Sequence, residues 1–397
     1  MVKMAVIGFG NIGGGLVELV ENNREIIKKD LGTELEIKYI VDIRDFTGHP
    51  LESKIVKDFN VVLNDPEVSI VAEMIGGSHP AFDFSIAALN AGKHVVSSNK
   101  EVVANFGEVL LAAAKANGVA YHFEAAVGGA IPIIRPMRES LSSDNILSVN
   151  GILNGTTNYI LTQMLVNNVS FEDALKTAQQ LGYAEADPSA DVDGIDACRK
   201  ICILAALAYG TVYPSDLVST EGIRNISSRD ASDAAKLGAS IKLIGHCEKT
   251  EDGKVLLCVC PRIIPASVPL YSVSDVFNGI MVSGEAVGDL MFYGRGAGRI
   301  PTAGAVLADI VEVVKHMSSA QLPPAEWVRG DASTLADVKA APCGFYCRVK
   351  GEKIPSGCRL VSFENGESSF VTEPITEYQL EEMLSGLECV SRIRFFA

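Results

Sequence analysis

Cationic side chains are in short supply: 34 Lys and Arg stand against 49 Asp and Glu, a formal net charge of −15 over 397 residues. That balance argues against nucleic acid or an anionic membrane surface as a partner, while leaving room for a local basic pocket that takes a phosphate. No apolar run approaches the roughly 18 residues of a membrane span. The chain opens directly on Lys3-Met-Ala-Val-Ile7, a strand in place of the apolar core of a secretion signal, so the sequence predicts a cytoplasmic protein. Repeats and low-complexity tracts are missing. The nine cysteines are an odd number and form no framework: Cys198, Cys202, Cys247, Cys258 and Cys260 are scattered through apolar stretches without companions at zinc spacing, and read as reduced core thiols. The six histidines are dispersed and none sits in a motif, so a proton donor has to be sought elsewhere.

With 48% hydrophobic and 21% charged residues the composition is that of an ordinary globular protein, and the length exceeds what one core usually organises. Over residues 1–130, strand and helix signals alternate as in parallel βαβ units. Met4–Ile7, Leu35–Val41, Ile70–Ile75, His94–Ser97 and Ala120–Glu124 read as strands. Amphipathic helices fall between them, one running from Gly13 to about Lys29. The fold class is therefore α/β, a doubly wound parallel sheet of Rossmann type. Residues 131–301 change texture to α+β and read as a second domain, with β-type runs at 256–260, 268–273 and 279–282. A long helix over 302–316 returns to the first domain, 318–342 is a linker carrying Pro323-Pro324, and 343–397 is a small strand-rich appendix with one helix over 377–384.

Gly8-Phe9-Gly10-Asn11-Ile12-Gly13 lies between the first strand and the first helix, the context that gives a GxGxxG pattern meaning. Gly8 permits the turn, Gly10 lets a pyrophosphate approach the backbone, and Gly13 allows close helix packing. The rival explanation is a purely structural glycine turn. Asp42 ends the second strand, where a carboxylate bonds the ribose 2′-hydroxyl of NAD; Arg44 stands where a cation suits the 2′-phosphate of NADP, so both cofactors remain open. Ligands of open α/β sheets bind at the carboxyl ends of the strands, which here carry Ile75-Gly76-Gly77 and Ser97-Ser98-Asn99-Lys100.

Gly182 to Lys200 packs five carboxylates and two cations into nineteen residues and runs straight into the apolar stretch Ile201–Tyr209. Asp196 and Lys200 are four apart and share a face of a helix starting near Asp193, whose other faces are almost all apolar. Such a pair is often just an exposed salt bridge worth a few tenths of a kcal/mol. On a buried helix, however, charges need pairing or the wall of a polar cavity, and a substrate cleft is one such cavity. Next to a nicotinamide cofactor, the pair points to hydride transfer at a carbon bearing oxygen. Reduction of an aldehyde makes an alkoxide that needs a proton and charge stabilisation, and a lysine supplies both. Lys200 is the candidate acid and Asp196 its orienting partner.

Taken together, these residues resemble homoserine dehydrogenase. The likeness is carried by Ala178-Gln-Gln-Leu-Gly182, Tyr183-Ala184, Asp187-Pro188, Asp191-Val192, Gly194, Asp196 and Lys200. It is accompanied by the glycine loop, Ser98-Asn-Lys100, Gly151-Ile-Leu-Asn-Gly-Thr-Thr-Asn-Tyr159 and Gly296-Ala-Gly298, and covers roughly residues 1–316. The resemblance implies reversible NAD(P)-dependent interconversion of L-aspartate 4-semialdehyde and L-homoserine, on the route to threonine, methionine and isoleucine. It implies Lys200 as proton donor, Lys100 as a positioning group, and Glu185, Asp196, Asp191, Tyr183 and Thr156 around the substrate. Gly8 to Gly13, Asp42, Arg44, Gly76, Ser97, Ser98, Lys100, Gly182, Glu185 and Gly298 are the implied cofactor residues. Glu124, Val127, Gly129 and Ile131 resemble a monovalent-cation loop that binds a sodium-like ion largely through carbonyl oxygens. A homodimer is implied as well. With the glycine loop at residues 8–13 and no aspartate-kinase pattern ahead of it, the expectation is the monofunctional form. The appendix resembles an ACT domain, of the type that senses threonine, but lacks the pattern for its first helix, which puts threonine feedback in doubt.

Two rivals stand beside this reading. An aspartate or diaminopimelate dehydrogenase explains the glycine loop and the acidic site without requiring Glu185, Asp196 and Lys200 in register. A redox-sensing regulator that binds NAD(H) without turnover requires a DNA- or partner-binding module, and neither a basic segment nor a helix-turn-helix pattern is present.

Overall fold

The computed structural model describes residues 1–317 and 326–396. The chain divides into two compact units, Met1–Ser143 with Ala206–Val212 and Arg295–Arg329, and Asp144–Ala205 with Tyr213–Gly294 and Gly330–Ala397. The start of the expected linker, 318–325, lies outside the described residues.

The first unit is built on six parallel strands: β1 (Val2–Ile7), β2 (Leu35–Val41), β3 (Ile55–Val56), β4 (Val68–Glu73), β5 (His94–Ser97) and β6 (Tyr121–His122). Their spatial order is β3-β2-β1-β4-β5-β6, so the chain reverses its direction of travel between β1 and β4, the switch point at which such sheets take ligands. The near-continuous burial of β1, β4 and β5 follows from helices on both faces. One face packs against α1 (Asn11–Asn22) and the helix Arg299–His316, through Leu16, Val17, Ala303, Val306 and Ile310 on Val6, Ile70 and Val96. The single helix expected as far as Lys29 is two. It breaks at Asn23, whose ψ of 15° leaves the helical region, and α2 (Arg24–Leu31) follows and ends at left-handed Gly32. Two successive asparagines, whose side chains compete for backbone partners, account for the break. Three further elements complete the parts used below: α3 (Asn60–Leu63), α4 (Ala81–Asn90) and α5 (Lys100–Asn117).

The second unit contains a ten-stranded mixed sheet. Its centre is the antiparallel pair Ala239–Lys249 and Val255–Pro265, flanked by Ile146–Ile152 and Phe277–Gly284. The expected run 268–273 is not a strand. It is a 3-10 turn over Pro269–Ser272 that buries Leu270 and Val273 against Ile152, Ile244 and Ile264. Pro269 lacks the amide a ladder needs, so the apolar residues are buried by a turn instead. The helices Gly155–Asn167, Phe171–Gln180 and Ile195–Tyr209 belong to the same region of sequence as the acidic segment. The appendix continues the sheet: Cys389–Phe395 pairs in parallel with Val255–Pro265 through Arg262–Arg394 and Ile263–Phe395. Phe345–Lys350, Glu367–Val371 and Arg359–Glu364 then follow in that spatial order, and the helix Glu377–Met383 precedes the last strand. Between Phe345–Lys350 and Arg359–Glu364 there is no helix, as the sequence leads one to expect. All nine cysteines are free thiols.

Candidate active site

The cofactor loop follows directly from its glycines. Gly8 has φ +90°, and a β-carbon on Gly13 would lie 1.9 Å from the Gly8 carbonyl oxygen, so side chains are barred where the turn folds onto α1. Gly10 begins α1 without any side-chain cap, and a β-carbon there would face open space. Uncapped amides at the end of a twelve-residue helix, beside open space, are suited to the phosphates of a dinucleotide. Asp42 lies next to it: its Oδ2 accepts from the Phe9 amide at 2.8 Å and its Oδ1 from the Arg44 amide at 3.0 Å. The Arg44 guanidinium closes on the same carboxylate at 3.0 and 2.7 Å. The Arg44 side chain is the main cause that holds the Asp42 carboxyl down at about 2. Gly76 is exposed beyond β4, Ser97 is buried, and Lys100 is half-buried as the first residue of α5, whose cap is Asn99. Gly298, exposed with φ +133°, precedes the helix Arg299–His316.

In the second unit, Lys200 and Asp196 are buried, with 7% and 4% of their surface exposed. The exposed salt bridge is therefore ruled out as their explanation. The Lys200 Nζ donates to Asp196 Oδ2 at 2.7 Å and to the Leu153 carbonyl at 2.8 Å. Asn154 completes the cluster. Its Nδ2 donates to Asp196 Oδ2 at 2.9 Å and to Asp191 Oδ1 at 2.7 Å, while its Oδ1 caps the helix Gly155–Asn167 by accepting from Thr157 N at 2.9 Å. One amide thus joins two carboxylates that stand five residues apart in sequence to the start of a neighbouring helix. Its signal in the sequence was that of a helix cap only. Thr156 Oγ1 donates to the Tyr183 carbonyl at 2.6 Å, and the Tyr183 ring meets Tyr159 edge to face. Gly182 is in the left-handed region at φ +73°, and the exposed Glu185 follows on a loop whose carbonyls at 185 and 186 accept from Gln179. The structure therefore gathers Asp191, Asp196 and Lys200 around Asn154, and Thr156 with Tyr183. Glu185 sits on the loop between these two groups in sequence.

The Glu124 carboxylate accepts from the amides of Ile133, Ile134 and Arg135 at 2.6, 2.8 and 2.8 Å, and its own amide donates to Asp309 at 2.8 Å. Burial, with Asp309 nearby, raises its carboxyl above the usual range. Three backbone amides thus engage both oxygens of the carboxylate. Consecutive left-handed Gly128 and Gly129 give the loop its turn, and a β-carbon on Gly129 would lie 2.6 Å from Gly296. Among the described residues no group of three or more His, Cys, Asp or Glu has the arrangement of a metal centre. No described helix is long and apolar enough to cross a membrane.

A six-stranded parallel sheet with a glycine-bounded turn at an uncapped helix start and a carboxylate closing the second strand, in one chain with a buried lysine–aspartate pair, is the architecture of an NAD(P)-dependent dehydrogenase. The profile described as homoserine dehydrogenase matches residues 132–311, and that of its NAD binding domain matches residues 8–124. The chain belongs to the homoserine dehydrogenase family. It is 40% identical to the homoserine dehydrogenase of Synechocystis over 366 residues, which cover 89% of this chain and 84% of that one. It is 41% identical to the Bacillus subtilis enzyme, covering 80% and 73%. The crystal structure of a homoserine dehydrogenase from Thiobacillus denitrificans superposes with a TM-score of 0.88 at 33% identity, covering 100% of this chain and 98% of that chain. A hyperthermophilic archaeal homoserine dehydrogenase in complex with NADPH matches with a TM-score of 0.66 at 28% identity, over 79% of this chain and 97% of its own.

Proposed function

We propose that the protein interconverts L-aspartate 4-semialdehyde and L-homoserine, with Lys200 as the acid that protonates the carbonyl oxygen during reduction. When bound, the nicotinamide cofactor supplies the hydride. The observation that carries this reading is the buried Lys200 ammonium, held at 2.7 Å by Asp196 and at 2.8 Å by the Leu153 carbonyl. An ammonium carries donors only, so the group that these acceptors hold can give a proton to a substrate oxygen. Asp196 and Asn154 fix the direction in which the Nζ points, and Asp191 holds Asn154 in turn. Glu185, exposed on its loop, suits the substrate ammonium, with Thr156 and Tyr183 at the amino acid's backbone end and Lys100 as a further positioning cation. In the oxidation direction the same Nζ, once neutral, takes the hydroxyl proton.

Both cofactor forms are served by the pair Asp42 and Arg44. For NAD the Asp42 carboxylate accepts from the ribose 2′-hydroxyl; for NADP the exposed Arg44 turns from Asp42 to the 2′-phosphate. A sodium-like ion on the carbonyls of Glu124, Val127, Gly129 and Ile131, and a homodimer, complete the proposal. The test is a steady-state assay of homoserine oxidation with NAD and with NADP, alongside an assay for ammonia release. Homoserine-dependent cofactor reduction without ammonia is the expected result; ammonia release would instead place the protein with the amino-acid dehydrogenases.

A further inference from the structure

Glu73 is the last residue of β4 and has no exposed surface. A carboxylate in so apolar a strand needs an explanation, and its partners supply one. Oε1 accepts from the Ile75 amide at 2.6 Å and Oε2 from the Ser97 hydroxyl at 2.6 Å. The Ser97 oxygen accepts in turn from the Asn99 amide at 3.0 Å. Asn99 reaches back with its Nδ2 to the carbonyls of Ile75 and Gly77, at 2.8 and 2.7 Å, while its Oδ1 caps α5 through the amides of Glu101 and Val102. A single carboxyl thereby closes a ring of hydrogen bonds joining the two segments at the carboxyl edge of the sheet, Ile75–Gly77 and Ser97–Lys100. The Met74 amide and carbonyl extend the ring to the cofactor turn: the amide donates to Ile7, and the carbonyl lies 2.9 Å from where a β-carbon on Gly8 would stand.

Among the described residues no counter-charge acts on Glu73. Ser97 on β5, Asn99 at the head of α5 and Tyr121 on β6 stand against it, and burial, with Glu73 behind it, holds the Tyr121 hydroxyl well above its ordinary value, so that it stays protonated. The helix Arg299–His316 packs on the opposite face of the sheet, with Ala303, Val306 and Ile310 against Ile70, Ala72 and Val96, and its Asp309 is engaged by the Glu124 amide and Arg135. On α4, Asp83 is exposed and paired with His79; on α5, Glu101 accepts from Ser78 and Lys100 is half-buried. Burial pushes the Glu73 carboxyl up to about 7, against the hydrogen bonds from Ser97, Ile75 and Asn99 that pull it down.

We propose that Glu73 is a positioning residue for the dinucleotide, acting through its charge: as a carboxylate it holds both edge segments in their cofactor-ready geometry, and protonation loosens them. The proposal rests on the dinucleotide site described above. Protonation turns one oxygen into a donor toward Ser97 and leaves the Ile75 amide with a neutral acceptor, and hydrogen bonds to neutral acceptors are about half as strong as those to charged ones. The bound form therefore favours the carboxylate, and affinity falls as pH drops through the neutral range.

The dissociation constant of NADH, followed by nicotinamide fluorescence between pH 5.5 and 8.5, tests this without interference from a titrating 2′-phosphate. The parent protein should bind about fivefold more weakly at the acid end, with a midpoint near neutrality. Glu73→Gln should bind at the weaker level with no such transition. Ser97→Ala, which keeps the carboxyl but removes a bond that stabilises its charge, should move the midpoint to higher pH, and it carries the test alone if Glu73→Gln does not fold. A Glu73→Gln profile that tracks the parent's, or an unmoved midpoint in Ser97→Ala, would overturn the proposal while leaving the cofactor site standing. Absence of binding of both NADH and NADPH at every pH would overturn both.

Discussion

Arg44 and Asp42 show how much chemistry two side chains settle. The guanidinium now satisfies both carboxylate oxygens, so binding NADP exchanges one anion for another and binding NAD leaves the ion pair largely in place. Arg44→Ala should weaken NADP by about 10- to 100-fold, the worth of a lost charged hydrogen-bond pair, and leave NAD within a few-fold. Comparison of kcat/KM for the two cofactors checks this, and equal losses for both would contradict it. The same pair is a stability element. Because the Asp42 carboxyl lies at about 2 when folded, below its unfolded value near 4, its contribution is present above pH 4 and is lost as pH falls toward 2. At this scale a residue's placement was readable in the sequence wherever its type and its neighbours in the chain declare it. Gly8, Gly13, Asp42 and the i,i+4 pair of Asp196 and Lys200 all do so. Asn154 and Glu73 do not, because their partners lie 37, 42 and 24 residues away and only the fold brings them together.

Helix ends and turns carry the second layer of the account. The helix Gly155–Asn167 starts at Asn154, which is both its cap and the clamp on Asp191 and Asp196. Asn154→Ala removes the cap, worth about 1 kcal/mol of stability, and takes one donor from each carboxylate. Its effect on kcat/KM should therefore exceed its effect on unfolding, at about 10²-fold or more. Denaturant unfolding and steady-state kinetics on the same preparation separate the two, and a kinetic loss no larger than the stability change predicts would reduce Asn154 to a cap. Local signals served well for elements with a clear boundary. The Ser170 side chain accepts from the Asp173 amide, and left-handed Gly32 ends α2. They failed at Asn23, where a weak propensity broke an otherwise periodic helix, and at Pro269, where apolar residues are buried without a strand.

For the whole molecule, the least legible feature was how the appendix attaches. Its strands are too short to announce their neighbours, and the pairing of Cys389–Phe395 with Val255–Pro265 spans more than a hundred residues of sequence. Side chains reinforce the junction. Arg348 donates to Asp230 at 3.1 Å and to Glu367 at 2.6 Å, and the Tyr346 hydroxyl reaches Asp233 at 2.9 Å, with both aspartates fully buried on the helix Ser228–Lys236. A module joined by buried charges is part of the unit's core. Arg348→Met would leave Asp230 buried without its cation and should destabilise the protein by about 3–5 kcal/mol. Thermal unfolding checks this, and a change below about 1 kcal/mol would show the appendix to be loosely held.

The central claim concerns the Lys200 ammonium, and Lys200→Ala tests it most directly when turnover and cofactor binding are measured on the same sample. Proton delivery and dinucleotide binding are separate tasks, so kcat should fall by about 10²–10⁴-fold in both directions while NADPH still binds with near-parental affinity. Turnover within about tenfold of the parent, with the cofactor bound, would contradict the account and move the acid to another group.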